Sequence, residues 1–70
     1  MMKVSARNVL KGKVKSVVHG SVSSEAVLQL HGETEIVSIT TKTAAQNLGL
    51  KEGKEAYAII KASSVILGTD

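Results

Sequence analysis

The stretch TEIVSITTKTAAQNLG, residues 34–49, decides the fold because it places one short helix directly after a strand. Residues 34–40 are rich in Ile, Val and Thr, which favours a β-strand. Thr43 and Gln46 have the spacing of a capping box, so we expect Thr43 to be the N-cap and Gln46 to reach back to it. Leu48 followed by Gly49 is typical of a helix end. The helix is therefore expected to last one or two turns.

Four other runs of strand formers lie between breaks rich in glycine and serine. They cover residues 8–18, 24–30, 55–62 and 64–67. Together with residues 34–40 they make five short strands, with the helix between the third and the fourth. This order predicts an all-β fold, a small OB-like Greek-key β-barrel.

Alternation along each strand predicts which side chains face inward. The expected inward sets are Val14, Ser16 and Val18 in the first strand, Ala26, Leu28 and Leu30 in the second, and Ala56, Ala58 and Ile60 in the fourth. The glycines of two short segments predict where the chain turns. Residues 19–21 end the first strand, and residues 31–33 form a hairpin turn after the second.

The 70 residues are expected to form a single domain, residues 1–70. A domain of this size buries only about 60% of the surface that its unfolded chain exposes. There is no Cys to form a disulfide, and two histidines cannot build a closed zinc site, so no metal ligated directly by the protein is expected. The chain is 43% hydrophobic with Tyr57 as its one aromatic residue, which leaves aliphatic surface for a partner subunit. The composition therefore predicts an oligomer.

The charge balance is mildly basic. Nine Lys and Arg residues against six Asp and Glu give a net charge of +3, which favours anionic ligands weakly and is also typical of ordinary surface charge. No apolar run approaches the roughly 20 residues of a membrane helix, and residues 1–5 lack the apolar core of a signal peptide. We expect a cytoplasmic location and no membrane partner.

Catalysis and nucleic-acid binding both find little support. The only Asp is Asp70, and His19 and His31 lie beside glycines in predicted turns, where a solvated side chain is the simplest interpretation. No acid or nucleophile is grouped with either histidine, and there is no phosphate-binding glycine loop. Binding of single strands by OB folds uses aromatic platforms, and this chain has Tyr57 alone. We therefore expect neither an enzyme nor a nucleic-acid partner.

Two short segments have the residue types that bind a small oxyanion. Residues 5–8 contain a hydroxyl, a guanidinium and an amide, and residues 61–64 contain an ammonium and two hydroxyls. Neither segment has a carboxylate, which would repel an anion, and their small residues let the backbone approach a ligand. Taken singly, Arg7 is equally well explained as a surface ion-pair partner and Lys61 as a solvated strand end.

The same two regions resemble a known family. The segments SARNVLKGKV, residues 5–14, and LGLKEGKEAYAIIKASSV, residues 48–65, are similar to the opening and closing parts of the molbindins, the small molybdenum-pterin-binding or Mop proteins with a TOBE/Mop domain. The resemblance covers nearly the whole chain. It implies an OB-like barrel, a hexamer built as a trimer of dimers with an edge strand exchanged or shared between subunits, and molybdate sites between subunits.

The resemblance also implies which residues bind. The interface site would use Ser5, Ala6, Arg7, Lys61, Ala62 and Ser63, with Thr41 and Ala44 contributed by a neighbouring subunit. A relative often has Ser where this chain has Ala44, so a backbone N–H at the helix start would have to replace that hydroxyl. A second site near the threefold axis would use His19, Gly20, Ser21 and Val22.

The function implied is storage and homeostasis of molybdenum inside the cell. Tungstate should compete with molybdate, whereas selection against sulfate has to rest on cavity size and hydrogen-bond geometry because the charges are equal. Two alternatives stay open: an anion-sensing interaction module that contacts another protein, and a molybdopterin carrier. Pterin recognition favours aromatic stacking, for which Tyr57 is poor support.

Overall fold

A computed structural model describes residues 3–70, so the first two residues of the N-terminal segment lie outside the described residues. Its first element is a long strand, and residues 65–70 after its last element have no regular secondary structure. In order, the elements are β1 (Asn8–His19), β2 (Ser23–Gln29), β3 (Glu35–Thr41), α1 (Lys42–Leu48), β4 (Glu55–Ile60) and a 3₁₀ turn (Ala62–Ser64). Within residues 3–70, no helix combines the length and the apolar composition needed to cross a bilayer.

The strands of the described residues form one sheet in the order β3-β2-β1-β4, and every neighbouring pair is antiparallel. The central strand β1 changes partner along its length. Residues 8–13 pair with β4, and residues from Lys13 onward pair with β2. Because one long strand serves two partners, the sheet curls into a half-barrel, which confirms the OB-like all-β fold.

A β-bulge in β1 alters the predicted inward face. The pairing with β2 skips a residue between Val14 and Ser16, so Val17 and not Val18 lies opposite the buried Ala26. Val14 is buried, as predicted, whereas Val18 is 64% exposed. The prediction for Val18 is wrong because an extra residue in one strand shifts the alternation of every residue after it.

The core is small and aliphatic. Among the described residues its buried apolar side chains are Val14, Ala26, Leu28 and Ala45. The inward positions of β2 are confirmed for Ala26 and Leu28, and the predicted inward face of β4 is half-buried. Many larger apolar side chains stay exposed, including Val37 and Ile39 on the edge strand β3. Such a core leaves apolar surface that a second copy of the chain can cover.

The short helix is confirmed, but its N-cap is Thr41 and not Thr43. Thr41 has extended backbone angles, and its Oγ1 accepts a hydrogen bond from the Ala44 N–H at 3.0 Å. Strand β3 continues to Thr41, so the helix starts two residues earlier than the capping-box spacing indicated. Gln46 makes no reciprocal side-chain bond within the described residues. Gly49 ends the helix with a φ of 66°, as predicted.

The predicted fifth strand does not form, and β4 ends at Ile60 instead of residue 62. The 3₁₀ turn follows, and residues 65–70 have no strand partner in the described chain. Val65 keeps extended backbone angles, while Ile66 and Leu67 are 94% and 89% exposed. The apolar sequence favours a strand, but a strand also requires an edge to pair with, and one chain does not present that edge to the tail.

Candidate functional site

The two donor segments predicted from sequence meet at one end of the sheet. Asn8 and Ile60 are the last paired residues of β1 and β4 at this end. Residues 5–7, which lead into β1, therefore lie beside residues 61–63, which follow β4. The Asn8 side chain strengthens this junction, because its Nδ2 donates to the Ile60 carbonyl oxygen at 3.2 Å.

The two charged side chains at this end of the sheet are exposed and form no ion pairs within the described residues. Arg7 and Lys61 are both exposed, and neither forms a salt bridge among residues 3–70. Ordinary surface ion pairs lie elsewhere on the sheet, such as the one between Lys11 and Glu55 at 3.2 Å. There the hydrogen bond and negative charge of Glu55 raise the pKa of Lys11. The interpretation of Arg7 as an ion-pair partner therefore finds no support in the described part of the chain.

The 3₁₀ turn adds backbone donors next to these cations. Its internal hydrogen bonds use the N–H groups of Ser64 and Val65, which donate to Lys61 and Ala62 carbonyls at 2.9 and 3.3 Å. The first N–H groups of a helical turn have no partner inside it. The N–H groups of Ala62 and Ser63 are the ones that remain to meet a ligand, and the exposed hydroxyls of Ser5 and Ser63 lie in the same two segments.

Thr41 and Ala44, the other residues expected in the interface site, lie at the opposite end of the sheet. Thr41 pairs with Ser23, which follows the far end of β1. Since β1 has 12 residues, its ends are separated by roughly 35 Å of strand path. The structure therefore does not bring Thr41 to Arg7 within one chain. A backbone N–H at the helix start was expected to replace the missing hydroxyl, and one of these groups, that of Ala44, is already bound to Thr41 Oγ1.

The residues expected at a threefold axis lie beside Thr41. They are His19, Gly20, Ser21 and Val22. The carbonyl of Val22 accepts from the Lys42 N–H at 2.8 Å, and the Gly20 N–H donates to the Ser23 carbonyl at the same distance. These bonds fix the loop against the start of α1.

The two histidines differ. His19 is the last residue of β1, and its Nδ1 lies 2.6 Å from the Oγ of Ser24, which is only 2% exposed. His19 is exposed, as predicted, but it lies in a strand and not in a turn, because β1 continues one residue further and Ser24 lies directly opposite it. His31 is exposed in its turn beside Gly32, as predicted. No cluster of three metal-ligating side chains exists within residues 3–70.

Sequence reasoning missed two polar contacts of these ends: the Asn8 bond to Ile60 and the pairing of His19 with Ser24. Asn8 was recognised as a potential donor to the ligand, but its actual acceptor depends on the register between β1 and β4. Residues 52 positions apart in sequence carry no local signal of that register.

Comparisons with known proteins agree with this architecture. A family model described as the TOBE domain matches residues 4–67. The chain is 48% identical to a probable molybdenum-pterin-binding protein of Haemophilus influenzae over 69 residues, which cover 99% of this chain and 100% of the relative. It is 44% identical to molybdenum-pterin-binding protein 3 of Clostridium pasteurianum over 66 residues, 94% of this chain and 97% of the relative.

Solved structures give the same result. MopII from Clostridium pasteurianum, in an apo form, superposes with a TM-score of 0.90 at 40% identity and covers 96% of this chain and 100% of its own. ModG, described as a cytoplasmic molybdate-binding protein and solved with molybdate bound, superposes with a TM-score of 0.94 at 52% identity. That match covers 99% of this chain and 49% of the ModG chain, so this chain spans about half of ModG.

Proposed function

Since the chain belongs to the TOBE-domain family of molybdenum-pterin-binding (Mop) proteins, we propose that it binds molybdate, with tungstate as a competitor. The relatives are binding proteins, so the chain is a binding protein rather than an enzyme. The observation that carries the proposal is the pairing of Asn8 with Ile60, which gathers two donor segments without carboxylates at one end of the sheet.

The chemistry of this end suits a tetrahedral dianion. Two cations, Arg7 and Lys61, balance its charge, and hydrogen bonds from charged donors are the strongest of their kind. The hydroxyls of Ser5 and Ser63 and the backbone of Ala6 and Ala62 complete the proposed set from this chain. An anion has only acceptor oxygens, so a site made of donors replaces its hydration shell without leaving a repelling group.

The proposed site is completed by a second copy of the chain. Thr41 and Ala44 lie at the far end of β1, so they reach the anion only when another subunit brings that end to Arg7. After the capping bond is counted, the proposed contribution of this loop is the Thr41 hydroxyl, which can still donate its own hydrogen, with Ala44 as a small neighbour. One subunit face cannot surround a tetrahedral anion, whereas two facing segments supply donors from opposite sides.

The same assembly accounts for the exposed tail. We propose that residues 65–67 add as a strand to an open sheet edge of a second copy, because they are apolar, begin with the extended residue Val65 and have no strand partner in the described chain. The proposed assembly is a hexamer, a trimer of dimers, in which each subunit is one domain of residues 1–70. A second anion site at its threefold axis would use residues 19–22, whose loop is already fixed against α1.

The proposed role is storage and homeostasis of molybdenum in the cytoplasm. Binding without chemistry makes uptake and release a matter of free anion concentration. Because anion bound between subunits favours the assembled state, storage and assembly would support each other by mass action.

Isothermal titration of the purified protein with molybdate and tungstate tests this proposal, with thermal unfolding as a second measurement. Anion at a hundred times its dissociation constant should stabilise the fold by about 2.7 kcal/mol. Both anions are expected to bind with measurable heat. The absence of heat together with the absence of thermal stabilisation would reject molybdate binding.

The names of the relatives favour one further candidate, a carrier of a molybdenum-bound pterin. Tyr57, the one aromatic residue, is half-exposed on the outer side of β4 opposite Lys11. It offers one stacking face. A fluorescence scan of protein purified from its native source tests this candidate, which requires pterin emission in stoichiometric amount.

A further inference from the structure

Asn8 holds the two donor segments together by a contact that the proposed site does not use for ligand binding. It is the first residue of β1 and is half-buried, and its Nδ2 donates to the Ile60 carbonyl at 3.2 Å. Arg7 precedes Asn8 directly, and Lys61 follows Ile60 directly. The bond therefore lies one residue from each of the two cations.

This bond also orients a backbone donor. The carbonyl of Ile60 and the N–H of Lys61 belong to the same peptide unit, which is planar and trans, so they point in opposite directions. When Asn8 holds the carbonyl, it fixes the direction of the Lys61 N–H and the start of the 3₁₀ turn that follows. The turn begins immediately after Lys61, where no side chain caps it.

Sulfate and molybdate are both tetrahedral dianions, so electrostatic attraction to Arg7 and Lys61 does not separate them. Discrimination has to come from the distance between donors, since molybdate is the larger anion. Within one chain, strand pairing between β1 and β4 ends at Asn8 and Ile60, so the side-chain bond of Asn8 is the last contact before the two donor segments diverge.

We propose that Asn8 is a positioning residue that fixes the gap between residues 5–7 and residues 61–63 and thereby sets the preference for molybdate over sulfate. This inference rests on the proposed function. Without the bond between Asn8 and Ile60, residues 5–7 move away from residues 61–63. The distance between their hydrogen-bond donors then no longer fits the size of molybdate. Affinity for molybdate falls while the weaker, mainly electrostatic attraction of sulfate changes little.

The test measures the ratio of the dissociation constants for sulfate and molybdate, by direct titration and by competition, in the full chain. In Asn8→Ala we expect this ratio to fall about three- to tenfold, the range of one net hydrogen bond. Gln29→Ala is the matched control, because Gln29 also donates a side-chain amide to a backbone carbonyl, that of Gly32, in the turn after β2. Its ratio should stay that of the unsubstituted protein.

A purely structural role for Asn8 predicts a different result. Loss of stability alone lowers the temperature of unfolding without anion and weakens both anions in equal proportion, which leaves the ratio unchanged and overturns the inference. If Asn8→Ala does not fold, Asn8→Leu decides, since it keeps nearly the same size, cannot donate a hydrogen bond and adds no charge beside the anion, and its ratio should fall as well. If the unsubstituted protein binds molybdate but neither variant alters the ratio, only this inference fails. If the unsubstituted protein binds neither anion, the proposed function fails with it.

Discussion

The two ends of the central strand β1 satisfy their polar groups in different ways. At the end of β1 where His19 lies, Ser24 binds the histidine, Thr41 caps α1, and the Val22 carbonyl accepts from Lys42. At the end where Asn8 lies, one side-chain bond joins the strands, and the charged side chains beside it remain exposed.

This difference indicates how a small half-barrel can be both a scaffold and a receptor. Groups that bond to one another hold a loop in place but have little capacity left for a ligand. Groups left without partners in the described chain cost little while they are hydrated, and they can bind an anion when a second subunit excludes the water. The end with His19 is therefore the more rigid one, suited to presenting Thr41 to a neighbouring subunit, and the end with Asn8 supplies the charged donors of the proposed site.

The largest expected effect comes from preventing the end with His19 of one subunit from meeting the end with Asn8 of another. Ile66→Glu places a charge in the apolar tail that we propose adds to a neighbouring sheet. We expect the oligomer to dissociate at micromolar concentration, and molybdate binding to be lost with it, because no single chain holds both halves of the site. Sedimentation and titration on the same sample measure the two losses.

Thr69→Glu is the control for this change, since it adds the same charge beyond the apolar run of the tail. It should leave assembly and binding intact. An Ile66→Glu protein that stays assembled, or a monomer that binds molybdate with full affinity, would contradict the proposed contribution of a second copy.

The next effect is confined to the end with Asn8. Arg7→Ala or Lys61→Ala removes a charged donor from the proposed anion site, which should weaken molybdate binding by about 1.5–3 kcal/mol. Thermal unfolding without anion should hardly change, because both side chains are exposed and neither forms an ion pair in the described residues. Lys51→Ala, in the exposed turn before β4, is the charge-matched control. Equal losses from all three variants would show that net charge, not position, attracts the anion.

Sequence reasoning predicted the elements whose signals are local. The helix end at Gly49, the buried face of β2 and the hairpin at Gly32 each depend on a few neighbouring residues. The bulge between Val14 and Ser16 and the early cap at Thr41 were not predicted, because both depend on how far a strand pairs with its neighbour.

The same limit applies to the candidate site. The residue types of segments 5–7 and 61–63 were recognisable in sequence, as charged and hydroxyl donors without carboxylates. Their meeting point was not, since it depends on the register of Asn8 with Ile60. The missing fifth strand has a related cause: the sequence of residues 64–67 favours an extended chain, but the edge that would pair with it is not available within one chain.

A smaller effect is expected from a single variant at Thr41, which should change both the stability of the fold and the affinity for molybdate. Thr41→Ala removes the N-cap of α1 and should lower the free energy of unfolding by about 1 kcal/mol. If the Thr41 hydroxyl also reaches the anion of a neighbouring subunit, molybdate affinity falls further than stability explains. Thr41→Ser keeps the hydroxyl and should restore both quantities in denaturant titration and calorimetry. A variant that loses stability but keeps full affinity would remove Thr41 from the site.

The smallest expected effect belongs to the end with His19 alone. Ser24→Ala removes the hydroxyl that lies 2.6 Å from His19 Nδ1. His19 is exposed and can bond to water instead, so the loss of unfolding free energy should be only about 0.5–1 kcal/mol. Affinity at the site of Arg7 and Lys61 should not change, because neither Ser24 nor His19 is a proposed member of that site. A drop in that affinity equal to the one for Arg7→Ala would mean that the contact between Ser24 and His19, and not Thr41 alone, shapes the anion site.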